Sequence, residues 1–420
     1  MKTDMTSKTS ALAHTVSGRF PAVYIHLPFC VSKCAYCDFY SLPCKRDSSD
    51  TRIPEPPPYA DNCFSKDTYE LQGLYVDALC RQIRLTSMQH GRPRISTVFI
   101  GGGTPSVLKL DEMQRIFDTV FDCFNVEKDA EITLEANPET LSFQKLCAYK
   151  KMGINRLSIG MQSAVDTELK TISRIHSLDS VKAAVKSART AGFDNLNLDI
   201  MYALPFQTLD SFSETLSAVL SLAPEHVSVY GLQLEEGTPL FKNRNSLAFP
   251  GEDGENEMNA LALDVLEKNG FVRYEISNYA RPGFECKHNL AYWTLGEYFG
   301  FGTAAHSFVD GKRYSIKKDI HAYCCSADFS DVTETEELLT EDALTEEYVM
   351  LSLRLCRGLS FNGLSALTDR AEEYFKRAGP FIRGGFMELC NEKNSPDRFL
   401  RFTPKGFNVS NTVISEILYH

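Results

Sequence analysis

The segment Tyr24-Ile-His-Leu-Pro-Phe-Cys30-Val-Ser-Lys-Cys34-Ala-Tyr-Cys37 decides how the rest of the chain is read. A short apolar run of strand pattern leads directly into three thiols spaced C-x3-C-x2-C. That spacing can wrap one compact polynuclear centre. A cubane iron–sulfur cluster normally takes four thiolates, so three leave one iron open for an exchangeable ligand, and the amino and carboxylate groups of a methionine moiety are suitable chelators. Two other readings stand beside it: a structural zinc site with Cys44 as a distant fourth ligand, or three cysteines that merely pack. Zinc usually uses paired C-x2–4-C elements separated by a longer span, and one such element is visible here.

Outward from this loop, short runs of Val, Ile, Leu and Phe alternate with amphipathic stretches, the layout of parallel strands joined by helices. Six strands are expected: Val23–Leu27, Thr97–Ile100, Glu131–Ala136, Arg156–Ile159, Asn195–Ile200 and His226–Tyr230. Leu110–Phe121 and Ser180–Ala191 have helical periodicity, and Gly153 and Gly192 sit where helices would end. Each strand runs into polar or glycine-rich residues: PFCVSKC, GGGTPS, NPET, GMQS, MYALP and GLQLEEGTP. In parallel α/β architectures ligands gather at the carboxyl ends of strands, so these exits should form one mouth. The expected fold class is α/β, a partial (β/α)6 barrel followed by a smaller C-terminal α+β domain.

The expected organisation is a flexible tail over 1–20, the barrel over 21–310, and a helix-plus-hairpin domain over 311–420. The last carries a helix at Thr345–Cys356 and ends in RFTPKGFNVSNTVISEIL. A Pro-rich insert over 41–68, centred on RIPEPPP, should form a surface loop, because proline cannot continue a helix or a central strand. The stretch from Asn243 to Glu255, with Gly, Pro and acidic residues, is expected to be a second exposed loop.

Composition sets the outer limits. In 420 residues, 43% are hydrophobic and 24% charged, as in ordinary globular chains, and no run reaches the roughly 18 apolar residues that a membrane-spanning helix needs. The Ser/Thr-rich start faintly resembles a transit peptide without its amphipathic arginine pattern; no secretory signal is evident and a cytoplasmic location is expected. Thirteen cysteines without an export signal point to reduced thiols or metal ligands rather than a disulfide framework. Cys44, Cys63, Cys80 and the Cys324-Cys325 pair read as ordinary thiols. A net charge of −11 disfavours a broad polyanion-binding surface, so no nucleic-acid partner is expected.

The cysteine loop resembles that of the radical-SAM superfamily, in which an aromatic residue precedes the last cysteine; Tyr36 fills that place. The resemblance implies a [4Fe-4S] cluster on Cys30, Cys34 and Cys37, and S-adenosylmethionine (SAM) cleaved to methionine and a 5′-deoxyadenosyl radical. Gly101-Gly102-Gly103-Thr104-Pro105 follows a strand, and the missing side chains would let backbone amides approach a small zwitterion. A nucleotide phosphate loop is the rival, but neither Gly-Lys-Ser/Thr nor G-x-G-x-x-G is present. After the cysteine loop, the triplet resembles the GGTP motif, which implies that Gly102, Gly103 and Thr104 contact the methionyl amine. Glu135, Gln162, Arg174 and Asp199 lie at or beyond later strand ends, where they can bind ribose hydroxyls, amine and carboxylate or be solvated loop residues. Their phrases TLEANPE, IGMQS, ISRIH and NLDIMYALP resemble one branch of the superfamily, which implies SAM contacts. Tyr24 and Tyr36 join them, although Tyr24 could equally be core.

That branch holds the oxygen-independent coproporphyrinogen III dehydrogenases and the HemW-type heme chaperones. The dehydrogenases carry one more cysteine two places after the third; here Cys37 is followed by Asp38-Phe39-Tyr40, the chaperone form. The chaperone phrase H-N-x-x-Y-W occurs within Cys286-Lys-His288-Asn289-Leu-Ala-Tyr292-Trp293. A neutral imidazole is a competent axial ligand to heme iron, though a His among aromatics is more often a packed core residue. The resemblance implies heme binding at His288, with Cys286 and His306 as runners-up. It implies a chain that takes heme to an unidentified acceptor protein, without coproporphyrinogen dehydrogenase activity. Radical decarboxylation of coproporphyrinogen is the alternative, and radical RNA modification a third reading that lacks a nucleic-acid-binding element. Two departures stand out: the long insert, and Ala164 where the branch usually has an aromatic residue.

Overall fold

A computed structural model describes residues 20–43, 68–391 and 396–419. The expected N-terminal tail up to residue 19, nearly all of the Pro-rich insert, and Cys44 and Cys63 lie outside the described residues.

The expected parallel strands all form. They are β1 (Ala22–Leu27), β2 (Arg94–Gly102), β3 (Asn125–Ala136), β4 (Arg156–Gln162), β5 (Leu196–Tyr202) and β6 (His226–Gly231), hydrogen-bonded side by side in that order. Every residue of β4 is buried although its sequence alternates: Leu157, Ile159 and Met161 join the apolar core, while Arg156 and Ser158 face the inside of the barrel. The helices α1 (Thr68–His90), α2 (Leu110–Cys123), α3 (Phe143–Lys151), α4 (Leu178–Thr190) and α5 (Leu209–Leu222) form the crossovers. On α2, Met113, Ile116, Phe117 and Val120 are buried, and on α4, Val181, Ala184, Val185 and Ala188, the i, i+3, i+4, i+7 stripe of a helix on a sheet. Ser177 caps α4 by accepting from the Ser180 amide, and Gly192 stops it at φ +88.

A further parallel strand, Tyr298–Phe301, was not expected. It pairs with β1 on the side away from β2, so the chain crosses back after β6. Four residues including a glycine carry too little pattern to be read as a strand. Antiparallel strands extend the sheet at both ends, and its terminal strands do not pair with each other, so the barrel is open as expected. The stretch expected as a loop between Asn243 and Glu255 is a correction. Its end, from Gly251, is helical, in Gly251–Lys268, whose acidic first turn at Glu252 and Asp253 suits the positive end of the helix dipole.

The C-terminal part has a three-stranded antiparallel sheet in which Met387–Asn391 pairs with Arg398–Phe402, the expected hairpin. The helix expected at Thr345–Cys356 runs from Glu341 to Ser352, because Thr340 Oγ1 accepts from the Ala343 amide and fixes an earlier start. Strands Lys312–Ile316 and Thr333–Leu338 still belong to the large sheet, whereas a separate apolar cluster joins Leu295 and Phe308 to residues from Leu339 to Ile417. Among the described residues no helix is long and apolar enough to cross a membrane.

Candidate functional site

The exit of β1 builds the cysteine loop. Phe29–Cys30 pairs in parallel with Leu42–Pro43, closing the loop at its base. The Ala35 amide donates to the Ile172 carbonyl at 3.1 Å and the Leu240 amide to the Ala35 carbonyl at 2.9 Å, so the loop is held by elements from two later strand exits. Cys30, Cys34 and Cys37 are free thiols, each half-buried. Burial raises the pKa of Cys30, and lifts that of Cys37 to about 11, with the neighbouring cysteines adding to both.

Two donors from other strands reach these sulfurs. Thr104 Oγ1 lies 3.5 Å from Cys30 Sγ and Arg174 lies 3.5 Å from Cys34 Sγ. Asn137 links them, donating to Thr104 Oγ1 at 3.0 Å and accepting from Arg174 at 2.7 Å, while Arg174 also donates to the Gly160 carbonyl at 2.8 Å. Tyr36 is half-buried beside Cys34 and Arg174. Gln162, at φ +62, sits on the bulge between β4 and β5 just past Gly160, and is buried.

The glycine triplet serves a different need from the one expected. The amides of Gly102, Gly103 and Thr104 donate within the protein, to Glu135 Oε2, the Leu27 carbonyl and the Phe29 carbonyl. They are not free to meet a zwitterion. A Cβ on Gly103 would lie 2.6 Å from the Phe29 carbonyl oxygen, so the triplet is glycine because it packs against the cysteine loop.

Behind the mouth lies a cavity of about 190 Å³ whose lining includes Tyr24, Glu135, Arg156, Asp199, His288 and Tyr292. Asp199 accepts from Asn197 Nδ2 at 2.8 Å and from Ser158 Oγ at 3.0 Å. His226 Nδ1 donates to Asn197 Oδ1 at 2.6 Å and its Nε2 accepts from the Tyr274 hydroxyl at 2.8 Å, so each partner's polarity is set. Burial and the neighbouring Asp199 push Glu135 up to about 7. Tyr24 donates to His26 Nδ1 at 3.0 Å, because His26 Nε2 must donate to the Tyr40 carbonyl at 2.9 Å.

His288 belongs to this cavity wall, 1% exposed, stacked on Phe99 at 5.0 Å. Burial and Arg156 lower its pKa to about 3, so the imidazole is neutral. Its Nδ1 is 2.8 Å from Thr97 Oγ1 and its Nε2 2.9 Å from the Tyr292 hydroxyl, so both nitrogens are engaged. Of the runners-up, Cys286 is a buried thiol raised to about 12 that donates to Glu131, and His306 is exposed on a strand outside the cavity wall.

Comparison with known proteins fits this geometry. Residues 24–219 match the family model of the Radical SAM superfamily. The heme chaperone HemW of Lactococcus lactis is 32% identical, over 94% of this chain and 97% of that protein. The chain belongs to the HemW heme chaperone family. The HemW of Bacillus subtilis is 34% identical over 81% of this chain and 84% of its own length, and that of Escherichia coli 37% over 71% and 74%. Among solved structures, coproporphyrinogen III oxidase (HemN) from Escherichia coli superposes with a TM-score of 0.78 at 22% identity, covering 97% of this chain and 92% of that one, which is a likeness of fold.

The residues of this HemW-family site fit an iron–sulfur cluster. Among the described residues no three His, Cys, Asp or Glu side chains converge as ligands of a single ion would. A cubane asks less, because each thiolate takes a different iron. Three half-buried thiols with a threonine hydroxyl and a guanidinium aimed at the sulfurs make a donor set suited to an anionic sulfur-rich group. Thus the cysteines, Tyr36, Thr104, Gln162 and Arg174 gather at the mouth, while Tyr24, Glu135, Asp199 and His288 share the cavity behind it. Reading the sequence missed Asn137, Arg156 and the Asn197–His226 pair. The NPE phrase at a strand exit is the signal that could have found Asn137.

Proposed function

We propose that this chain binds heme and passes it to an acceptor protein, with a [4Fe-4S] cluster on Cys30, Cys34 and Cys37 and SAM at the mouth of the barrel. The observation that carries this reading is the match over nearly its whole length to a protein named heme chaperone, combined with Cys37-Asp38-Phe39 where a further cysteine is absent. When bound, the cluster with SAM on its open iron supplies one-electron reduction of the sulfonium.

The chain's own residues position these groups. Arg174 and Thr104 stabilise negative charge on the sulfurs they face. The carbonyl side of Gly102, Gly103 and Thr104 accepts from the methionyl amine. Asp199, held by Asn197 and Ser158, and Glu135, held by the Gly102 amide, accept from ribose hydroxyls. Gln162, Tyr24 and Tyr36 complete the pocket.

Heme binds through His288 in an opened arrangement. The cavity is smaller than the roughly 300 Å³ at which pockets for drug-sized ligands begin, and Nε2 must exchange the Tyr292 hydroxyl for iron. Titrating heme into the anaerobic, cluster-loaded protein, with coproporphyrinogen III turnover as control, tests the reading. A Soret band that is lost in His288→Ala but kept in Tyr292→Phe, without turnover, supports it; catalytic formation of protoporphyrinogen overturns it in favour of the dehydrogenase.

A further inference from the structure

Among the described residues Arg156 is the largest fully buried side chain, 2% exposed, and it stands in the wall of the barrel cavity. Its Nε is buried without a hydrogen-bond partner, and among the described residues the guanidinium forms no ion pair and no hydrogen bond. Carboxylates are nearby but committed elsewhere. Glu131 accepts from Cys286 Sγ and from the amides of Lys287 and His288; Asp199 accepts from Asn197 and Ser158; Glu135 accepts from the Gly102 amide. The charges of Glu131 and Asp199 favour the protonated guanidinium, yet none of its donors is bonded among the described residues, which leaves them for a ligand. Its planar fork suits a carboxylate, which it can hold by two parallel bonds.

We infer that Arg156 is the receptor for a carboxylate arm of the ligand, and that in heme this arm is a propionate. The cavity is too small for a macrocycle but roomy enough for a short chain ending in a carboxylate. His288 lines the same cavity, so in the opened arrangement a heme whose central iron meets the imidazole can turn one propionate toward the guanidinium. This inference rests on the heme reading proposed above.

The test compares heme with its dimethyl ester, whose propionates are capped, by Soret titration of the cluster-loaded wild type, Arg156→Met and Arg156→Lys. The wild type should bind free heme about ten- to a hundredfold more tightly than the ester, the worth of one charged hydrogen-bonded contact. Arg156→Met should lose that discrimination, and Arg156→Lys should keep part of it. Equal binding of acid and ester by the wild type overturns the inference and leaves the heme reading standing. Binding of neither overturns both. Loss of SAM affinity in Arg156→Met with the discrimination intact also overturns it, assigning the guanidinium to the cofactor.

Discussion

Replacing Glu135 by Gln separates what this carboxyl does for the fold from what it does at the site. Its pKa rises from the ordinary 4.5 to about 7, first through burial and then through Asp199. A raised carboxylate pKa means that between those values the folded chain holds a proton the unfolded chain has released, so stability falls as pH climbs through that window. Above it the full penalty is present. At 1.36 kcal/mol per pH unit the shift corresponds to about 3 kcal/mol, trimmed to roughly 2–3 because the side chain keeps some solvent contact and is coupled to Asp199. Glutamine removes the charge at constant shape and can still accept from the Gly102 amide. Urea denaturation under anaerobic conditions should find the variant near wild-type stability at pH 4.5 and about 2–3 kcal/mol more stable at pH 8. SAM affinity at pH 8 should fall by about tenfold, because a ribose hydroxyl loses a charged acceptor. A gap that does not change with pH, or a variant less stable than wild type at pH 8, would refute the reasoning and show Glu135 to be a stabilised anion.

Gly103→Ala should destabilise the chain by about 1–3 kcal/mol, since the new Cβ meets the Phe29 and Leu27 carbonyls at 2.6 and 2.8 Å. Thermal melts and iron content after reconstitution should both drop; wild-type values of both would show that the turn is not packed on the cysteine loop as described. Arg174→Met leaves the Gly160 carbonyl and Asn137 Oδ1 without their donor, at about 1–3 kcal/mol for each buried group, and removes the cation beside Cys34. Lower stability and loss of the spectral response of the cluster to SAM are expected, and an unchanged response would remove Arg174 from the site.

The strands and the cysteine loop were legible because each parallel strand is a short apolar run ending abruptly in glycine or polar residues, and β4 is buried along its whole length. The strand Tyr298–Phe301 was not, because four residues give no period and its place beside β1 depends on a crossover that local pattern does not record. Arg156 was hidden for the opposite reason. A charged residue opening an apolar run reads as the solvent end of a strand, yet its position on β4 turns it into the cavity. The hydrogen bonds that orient Asp199 arise from register: Asn197 lies opposite Ser158 in the β4–β5 pair and opposite His226 in the β5–β6 pair, partners 39 and 29 residues away in sequence. The glycine triplet was recognised as special, but its reason lay in the backbone of another strand, visible only once β1 and β2 were paired.

The most direct test of the central claim is Mössbauer spectroscopy of anaerobically prepared, iron-57-labelled protein beside variants in which Cys30, Cys34 and Cys37 are changed to Ser singly and together. The account predicts a [4Fe-4S] spectrum with one iron site that responds to SAM, weakened or lost in each single variant and absent in the triple one. A wild-type protein without a cubane signal, or a triple variant that keeps it, would contradict the account.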